Sequence, residues 1–243
     1  MYRINNAIDG QPAEVLLYGE IGDEFGGVDA TAFYNDVAAI DAPEIIFRIS
    51  SYGGDVFAGY AVSNIIKRLD VPTVTTVDGV AASIASVILM AGDRVEMAEN
   101  SMLMIHNSWT SVAVAGDARA MDEAAEGLQR MQTTLRAIDD GIVSAYASRV
   151  DVGEDQIRAW MDAETWFTAS EAVGFGFADG IADSAPAIAA CYVPDGRYKN
   201  TPRHLLQSQR IVRPEETPQP AEAASYARRS QAAARLRMDA KLS

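Results

Sequence analysis

Only two histidines, His106 and His204, could serve this 243-residue chain as a general base. His204 lies in a polar stretch, TPRHLLQSQR, which is a poor setting for a preorganised site. His106 ends an apolar stretch, SMLMIH, and is the better candidate, although a single histidine at a strand end is more often structural than catalytic. One cysteine, Cys191, and two distant histidines do not fit a zinc site or a disulfide framework.

Ser83 is the candidate nucleophile that such a base would serve. It follows Gly79 and two alanines in the stretch GVAAS, at a predicted junction between a strand and a helix. Small residues let a substrate approach the hydroxyl, and the free N–H groups at a helix start stabilise negative charge that develops nearby. Close packing of the helix would explain the same residues, so this stretch alone does not decide between the two interpretations.

A glycine-rich turn, SYGGD at residues 51–55, offers the groups that such a nucleophile needs beside it. Two glycines directly after a buried strand allow backbone torsions that other residues avoid, and these torsions can turn an N–H group outward. One such N–H could form half of an oxyanion hole, and the N–H of Ile84, directly after Ser83, could form the other half. A Gly-Gly turn before a helix is common, so the turn by itself is a weak signal.

The elements that must position these residues alternate between strands and helices. Strands are predicted at residues 14–22, 44–50, 71–77, 94–98 and 101–106, with the third ending at Asp78-Gly79. Helices are predicted at residues 29–40, 55–69 with Asp55 as N-cap, 82–90, 117–149, 155–161 and 168–174. This alternation favours an α/β layered fold with largely parallel strands. The helix over 117–149 has no proline, and its length is typical of a helix that projects and packs on a partner.

Charge and proline content divide the chain near residue 185. The net charge of −14 argues against a body that binds nucleic acid or anionic membranes. Residues 197–243 nevertheless contain 10 Lys and Arg against 4 Asp and Glu, a charge of +6, which leaves −20 on residues 1–196. We therefore predict a folded domain at 1–185 and a proline-punctuated, basic, loosely ordered tail at 186–243. The acidic pair Asp139-Asp140 is interpreted as a solvated helix face.

Taken together, these stretches resemble the Clp-type serine peptidases of the ClpP/crotonase fold. The matching stretches are SYGGDVFAG, GVAAS, NSMLMIH, GDARAMDEAAEGL and WFTASEAVGFGFAD, and they span about residues 14–183. The resemblance implies an α/β, ClpP/crotonase-like spiral of βαβ units with a long projecting helix. It also implies that Ser83 is the nucleophile, that His106 is the base, and that the N–H groups of Gly54 and Ile84 are the oxyanion donors.

The third catalytic position departs from the family pattern. Alignment of WFTASEA with the family's closing segment places Thr165 where the family usually has its catalytic aspartate. A neutral hydroxyl can orient an imidazole, but it cannot stabilise imidazolium as a carboxylate does. Asp162 and Glu164 are close enough in sequence to take that role. The alternatives therefore stay open between Thr165, either of these acids, and another group or water.

Several stretches further resemble a branch of the family that tailed phages encode, whose members are assigned as head-maturation (prohead) proteases. These stretches are YGEIG, GGDVFAG, AGDRVEM, MIHNSW and ETWFTA. The resemblance implies an endopeptidase that cleaves scaffold or capsid proteins, needs no cofactor or metal, and forms a homo-oligomeric ring through its long helix. It would act in the bacterial host cytoplasm or the procapsid. Nucleic acid is expected as a partner only through the basic tail.

Two other functions fit the same stretches. The chain could be the proteolytic subunit of an ATP-dependent Clp-type protease, served by a separate ATPase because it has no G-x-x-x-x-G-K-[ST] motif of its own. It could instead be a catalytically inactive crotonase-fold protein that binds an acyl-CoA or has a structural role. An apolar signal segment is absent from the first residues, and the longest apolar run, 80–92, is shorter than the ~20 residues that span a bilayer, so a cytoplasmic protein without membrane partners is expected.

Overall fold

Strands and helices alternate along the chain, and a computed structural model describes residues 2–6, 10–22, 29–182 and 197–202. The strands are β1 (Tyr2–Asn5), β2 (Ala13–Tyr18), β3 (Ile45–Ser51), β4 (Thr73–Ala82), β5 (Arg94–Ala98), β6 (Met102–Ile105), β7 (Thr165–Thr168) and β8 (Gly180–Ala182). The helices are α1 (Ala30–Ala38), α2 (Val56–Ile66), α3 (Ile84–Leu89), α4 (Ala118–Ala147), α5 (Glu154–Asp162) and α6 (Ala169–Phe175). Cys191, His204 and most of the predicted tail lie outside the described residues. The predicted division near residue 185 also falls outside them and stays a prediction.

The strands form one mixed sheet in the order β1-β2-β3-β4-β5-β8. Strands β2, β3, β4, β5 and β8 run parallel to their neighbours, whereas β1 is antiparallel to β2 at one edge. Strand β6 lies off this path, parallel to the end of β4 and antiparallel to β7. The α/β fold predicted from the sequence is confirmed, and the strands are largely parallel as expected.

Strand β4 divides the sheet because its two halves pair with different neighbours. Residues Val74–Val77 pair with β5, and residues Val80–Ala82 pair with β6. The predicted end of this strand at Asp78-Gly79 is therefore wrong, since the chain continues in extended form to Ala82. Parallel strands end at a common edge of a sheet. The pairing of the second half of β4 with β6 therefore places the ends of these two strands side by side.

A charged cluster on the sheet explains why Asp78 does not end the strand. The Asp78 carboxylate accepts a hydrogen bond from Arg48 Nε at 2.8 Å and a second one from the Tyr18 hydroxyl. Arg48 lies on β3, the strand next to β4, and Tyr18 lies on β2, one strand further along the same sheet. An aspartate that has cross-strand partners stays in the ladder, where an unpaired one would favour a turn.

Helices α2 and α3 pack closely beneath the end of β4. All six residues of α3 are buried, and a Cβ on Gly59 of α2 would overlap the Ile84 side chain. Asp55 caps α2 as predicted, because its Oδ1 accepts the Ala58 N–H at 2.6 Å. The helix predicted at 82–90 begins two residues later, because Ala82 still belongs to β4.

Helix α4 is the long helix expected from the sequence, and only its last third is anchored in the core. Its buried residues are Ile142, Val143 and Tyr146, and the preceding turns are mostly exposed. The Tyr146 hydroxyl lies 2.6 Å from Ser86 Oγ of α3, so this end of the helix is fixed to the element that follows Ser83. Among the described helices, none combines the length and the apolar character needed to cross a bilayer.

Candidate active site

Ser83 occupies a sharp turn between β4 and α3. Its φ of 56° lies in the left-handed region that residues other than glycine rarely adopt. The Ser83 N–H donates to Met104 O at 3.0 Å, and the Ser83 carbonyl accepts the Ser86 N–H at 2.9 Å. The strained torsion is therefore held by backbone hydrogen bonds on both sides. Such strain is often found at functional sites, where the surrounding structure must impose it.

The Gly-Gly turn lies directly against this serine. Gly53 and Gly54 have φ values of 87° and 148°, and a Cβ on Gly53 would lie 2.7 Å from Ser83 Cβ. A Cβ on Gly54 would overlap the carbonyl oxygen of Ile21, whose N–H donates to Gly53 O at 2.9 Å. Side chains are thus excluded on both sides of the turn, and the backbone itself forms the wall of the site.

The predicted oxyanion donors lie on the two sides of the Ser83 turn. Gly54 lines the same cleft as Ser83. Ile84 is the first residue of α3, and the N–H of a first helical residue has no intrahelical acceptor. Gly54 thus borders the cleft and Ile84 follows Ser83 directly, and the role of their N–H groups as an oxyanion hole stays a prediction.

The structure brings His106 and Ser83 together, as the sequence predicts for a nucleophile and its base. Pairing of β4 with β6 places Ala82 opposite Met104, so that the residues after both strands meet. His106 Nε2 lies 2.7 Å from Ser83 Oγ, which is hydrogen-bonding distance. A neutral imidazole at this distance can remove the hydroxyl proton when the oxygen attacks a carbonyl.

The surroundings of His106 favour its neutral form. Burial lowers the pKa of the imidazole below its ordinary 6.5, while the carboxylates of Glu164 and Asp139 act in the opposite direction and Arg197 lowers the pKa further. Because burial is the largest cause, His106 is neutral at pH 7 and able to accept a proton.

The three residues considered for the third position have different partners. Thr165 lies opposite Ile105 in the β6–β7 ladder, but its Oγ1 donates to Trp160 O at 2.7 Å. Asp162 Oδ1 accepts from Asn107 Nδ2 at 2.6 Å. Of the three, Glu164 is the one whose charge acts on the pKa of His106. Glu164 also has a positive φ of 50°, a second strained torsion at this site.

Asp139 belongs to the surroundings of the site, although the sequence suggested a solvated helix face. It is half-buried, and its Oδ1 accepts the Ser108 N–H at 2.7 Å, which fixes the loop after His106 to α4. The helical spacing of the sequence could have indicated this position. Leu135, Ile138 and Ile142 mark the inner face of α4, and Asp139 lies between them.

Arg197 and Tyr198 also reach the site, and nothing in the sequence pattern indicated this. The rings of Tyr198 and His106 meet edge to face, with centroids 5.4 Å apart. The two residues lie in a stretch predicted as loosely ordered tail. The cleft that contains Ser83 has a volume of about 250 Å³ and is lined by Glu20, Ile21, Gly22, Gly54, Asp55, Val56, Ser83, His106, Ser108, Trp109, Arg197 and Tyr198.

Comparison with known proteins connects this geometry to one family. The family model of the Clp protease matches residues 13–185, a range that includes Ser83, His106 and the three third-position candidates. The chain is 37% identical over 139 residues to the ATP-dependent Clp protease proteolytic subunit 1 of Chlamydia pneumoniae, covering 56% of this chain and 69% of that protein. It is 32% identical over 178 residues to the proteolytic subunit 3 of Rhodococcus jostii (strain RHA1), covering 72% and 83%.

Proposed function

The chain belongs to the Clp protease family, and from that membership we propose that it is a serine endopeptidase with Ser83 as nucleophile and His106 as base. The observation that carries the proposal is the 2.7 Å distance between Ser83 Oγ and His106 Nε2. A half-buried, neutral imidazole against the hydroxyl of a strained serine is an arrangement that serves acyl transfer.

The proposed reaction proceeds through an acyl-enzyme. His106 Nε2 takes the Ser83 proton as Oγ bonds to the peptide carbonyl carbon, and the carbonyl oxygen becomes an oxyanion that the Gly54 and Ile84 N–H groups bind. The imidazolium then gives its proton to the departing amine as the C–N bond breaks. Water, deprotonated by His106, attacks the ester, and the proton returns to Ser83 Oγ as the acid product leaves.

We assign the third position to Glu164 in preference to Thr165 and Asp162. Its carboxylate raises the pKa of His106, which means that it stabilises the protonated imidazole formed during the reaction. The Thr165 hydroxyl donates its hydrogen bond to Trp160 O, and the Asp162 carboxylate accepts one from the Asn107 side chain. The pKa of His106 therefore distinguishes Glu164 from its neighbours, and the same property gives a test.

For the biological setting we propose processing of scaffold or capsid proteins during phage head maturation. This rests on the resemblance of five short stretches to the head-maturation branch. The relatives named above instead support a second candidate, the proteolytic subunit of an ATP-dependent Clp protease. Limited cleavage of a scaffold or capsid protein without ATP would support the first setting. Degradation that requires a Clp-type ATPase and ATP would support the second.

The chemistry is tested by fluorophosphonate labelling of the purified protein, with the adduct located by peptide mass spectrometry. We expect the adduct on Ser83, and we expect the labelling rate to fall at least ~10³-fold in Ser83→Ala and in His106→Ala. Ser148→Ala removes an exposed serine at the end of α4 and serves as the matched control, with an unchanged labelling rate. Labelling that persists in Ser83→Ala, or that maps to another serine, would overturn the assignment.

A further inference from the structure

Residues 197–202, here called the Tyr198 segment, lie across the candidate active site. The Tyr198 hydroxyl donates to Tyr52 O, the carbonyl directly before the Gly-Gly turn, although the two residues are 146 positions apart in the chain. The same phenol interacts with the side chain of Ser83. The Tyr198 side chain thus lies between the candidate nucleophile and the turn that carries a candidate oxyanion donor.

Tyr198 fills an apolar recess that suits an aromatic side chain. Its exposed fraction is 7%, and its ring packs edge to face against His106 at 5.4 Å and against Trp166 at 5.9 Å between centroids. Val80, Ala82, Met102 and Met104 complete this small cluster at the ends of β4 and β6. A buried tyrosine with ring contacts on two sides is a specific fit, in contrast to a chain end that rests on a surface.

Polar contacts on both sides of Tyr198 fix the segment in place. Arg197 Nη2 donates to Glu20 Oε1 at 3.1 Å on one side of the cleft. On the other side, the Asn200 N–H donates to Glu164 Oε1 at 2.6 Å, and Asn200 Nδ2 donates to Ala163 O at 2.8 Å. The segment therefore engages both the nucleophile side of the site and the carboxylate that we assign to the third position.

The segment separates two cavities that share one wall. The cleft at Ser83 and a second cavity that extends toward Asp162 and Glu164 are both lined by His106, Ser108 and Trp109, and both are also lined by Arg197 and Tyr198. We expect that departure of the segment from this shared wall joins the two cavities into one groove that passes the Ser83–His106 pair. An extended peptide substrate needs such a continuous groove.

We propose that the Tyr198 segment is an internal inhibitor that occupies the substrate groove and must leave before a substrate can bind. Two effects act together: the phenol blocks the space beside Ser83 Oγ, and Asn200 engages the Glu164 carboxylate. The recess that holds Tyr198 is then a subsite for an aromatic side chain, so peptides with an aromatic residue are the preferred occupants. The inhibitory role rests on the proposed peptidase function. Occupancy of the groove by the segment does not depend on that function and can be measured independently.

The first test is the rate of fluorophosphonate labelling and of fluorogenic-peptide hydrolysis in full-length variants. A segment that blocks the groove reduces the apparent rate by the fraction of molecules left open, so Tyr198→Ala should accelerate both reactions about tenfold or more. Asn200→Ala, at an exposed position, removes the side-chain bond to Ala163 O but keeps the backbone N–H bond to Glu164, so it should accelerate them by a smaller factor without opening the aromatic cluster. Lys67→Ala removes an exposed lysine at the end of α2 that lines neither cavity, so it is the matched control and should leave the rates unchanged. Thermal melting of each variant shows whether it is folded.

The second test measures occupancy without catalysis. A fluorescein-labelled peptide of residues 196–202, GRYKNTP, should bind Tyr198→Ala protein in fluorescence polarisation, and the same peptide with alanine in place of tyrosine should not. Equal labelling rates in wild type, Tyr198→Ala and Asn200→Ala, with no peptide binding, would overturn the inference and leave the peptidase function intact. Peptide binding without labelling of Ser83 in any variant would sink the peptidase function and leave groove occupancy standing. Absence of both would overturn both.

Discussion

His106 can act as a base only while its imidazole is neutral, and its neighbours control that state in opposite directions. Burial lowers the pKa, whereas Glu164 and Asp139 raise it. The balance keeps the base deprotonated near neutral pH, and the nearby carboxylates favour the imidazolium once it has formed. A peptidase needs both properties, because the same ring accepts a proton in one step and releases it in the next.

The pH dependence of Ser83 labelling tests this balance. Because the pKa of His106 is lowered from 6.5, the rate should rise with pH through a midpoint below 6.5 and then level off. Glu164→Gln removes a charge that raises this pKa, so the midpoint should move to lower pH. The plateau of peptide hydrolysis should fall by about 10²-fold, because imidazolium loses a stabilising charge.

Two neighbouring substitutions control for this result. Asp162→Asn and Thr165→Val change side chains that the structure pairs with Asn107 and with Trp160 O, so both variants should keep the midpoint of the wild type. If Asp162→Asn shifts the midpoint and Glu164→Gln does not, the third position belongs to Asp162 and our assignment is wrong.

At the scale of the elements, the contact between α2 and α3 sets the position of Ser83. Gly59 allows α2 to approach so closely that an added Cβ would overlap Ile84, the residue that follows Ser83. The Gly59→Ala variant should therefore lose about 1–3 kcal/mol of unfolding free energy and label more slowly, because α3 must shift. Urea denaturation, with comparison of midpoints at equal m-value, measures the stability change.

Helix α6 offers the matched control for this substitution. A Cβ on Gly174 meets no atom within 4 Å, and its φ is not positive, so Gly174→Ala should gain about 0.5–1 kcal/mol from reduced backbone entropy. Opposite signs at the two glycines are the expected result. Equal effects at both positions would show that close packing of α2 on α3 is not what Gly59 provides.

The elements also show which parts of the fold were predictable from the sequence. Helices α1, α2 and α4 were predicted from periodicity, and α2 also from its N-cap Asp55, because apolar stripes and caps are local signals; the structure adds Asp29 and Asp117 as N-caps of α1 and α4. Strands β1, β7 and β8 were not predicted, since each has four residues or fewer and takes its place from pairing with β2, β6 or β5. The course of β4 past Asp78 depended on Arg48 and Tyr18, which are distant in sequence.

The candidate site was also predictable only in part from the sequence. Ser83, His106 and the Gly-Gly turn lie at the ends of strands with strong patterns, and the parallel sheet brings such ends together. Asp139 and Tyr198 reach the site through tertiary contacts alone, one from a helix flank and one from a stretch without periodicity. A long-range contact of this kind leaves no mark in local sequence, so only the structure could locate it.

At the scale of the whole molecule, helix α4 presents apolar side chains that are exposed to solvent in a single chain. Met121, Leu128 and Met131 are spaced by seven and three residues and have exposed fractions of 44%, 46% and 37%. This spacing places them along one face of the helix. A one-sided apolar stripe on a projecting helix is typical of an assembly contact, and we expect identical subunits to associate through it.

The association can be tested with one charge placed on or beside the stripe. Leu128→Lys would bury an unpaired ammonium in the contact, so sedimentation velocity should show a shift toward smaller species, with association weakened about 100-fold or more, ~2.8 kcal/mol. Gln129→Lys adds the same charge at an adjacent exposed position off the stripe and should assemble like wild type.

Because residues 1–196 carry a charge of −20, added salt should screen their repulsion and favour assembly in both the wild type and the control. Unchanged sedimentation of Leu128→Lys would show that α4 is not the contact, whereas retained Ser83 labelling in the smaller species would show that each subunit carries a complete site.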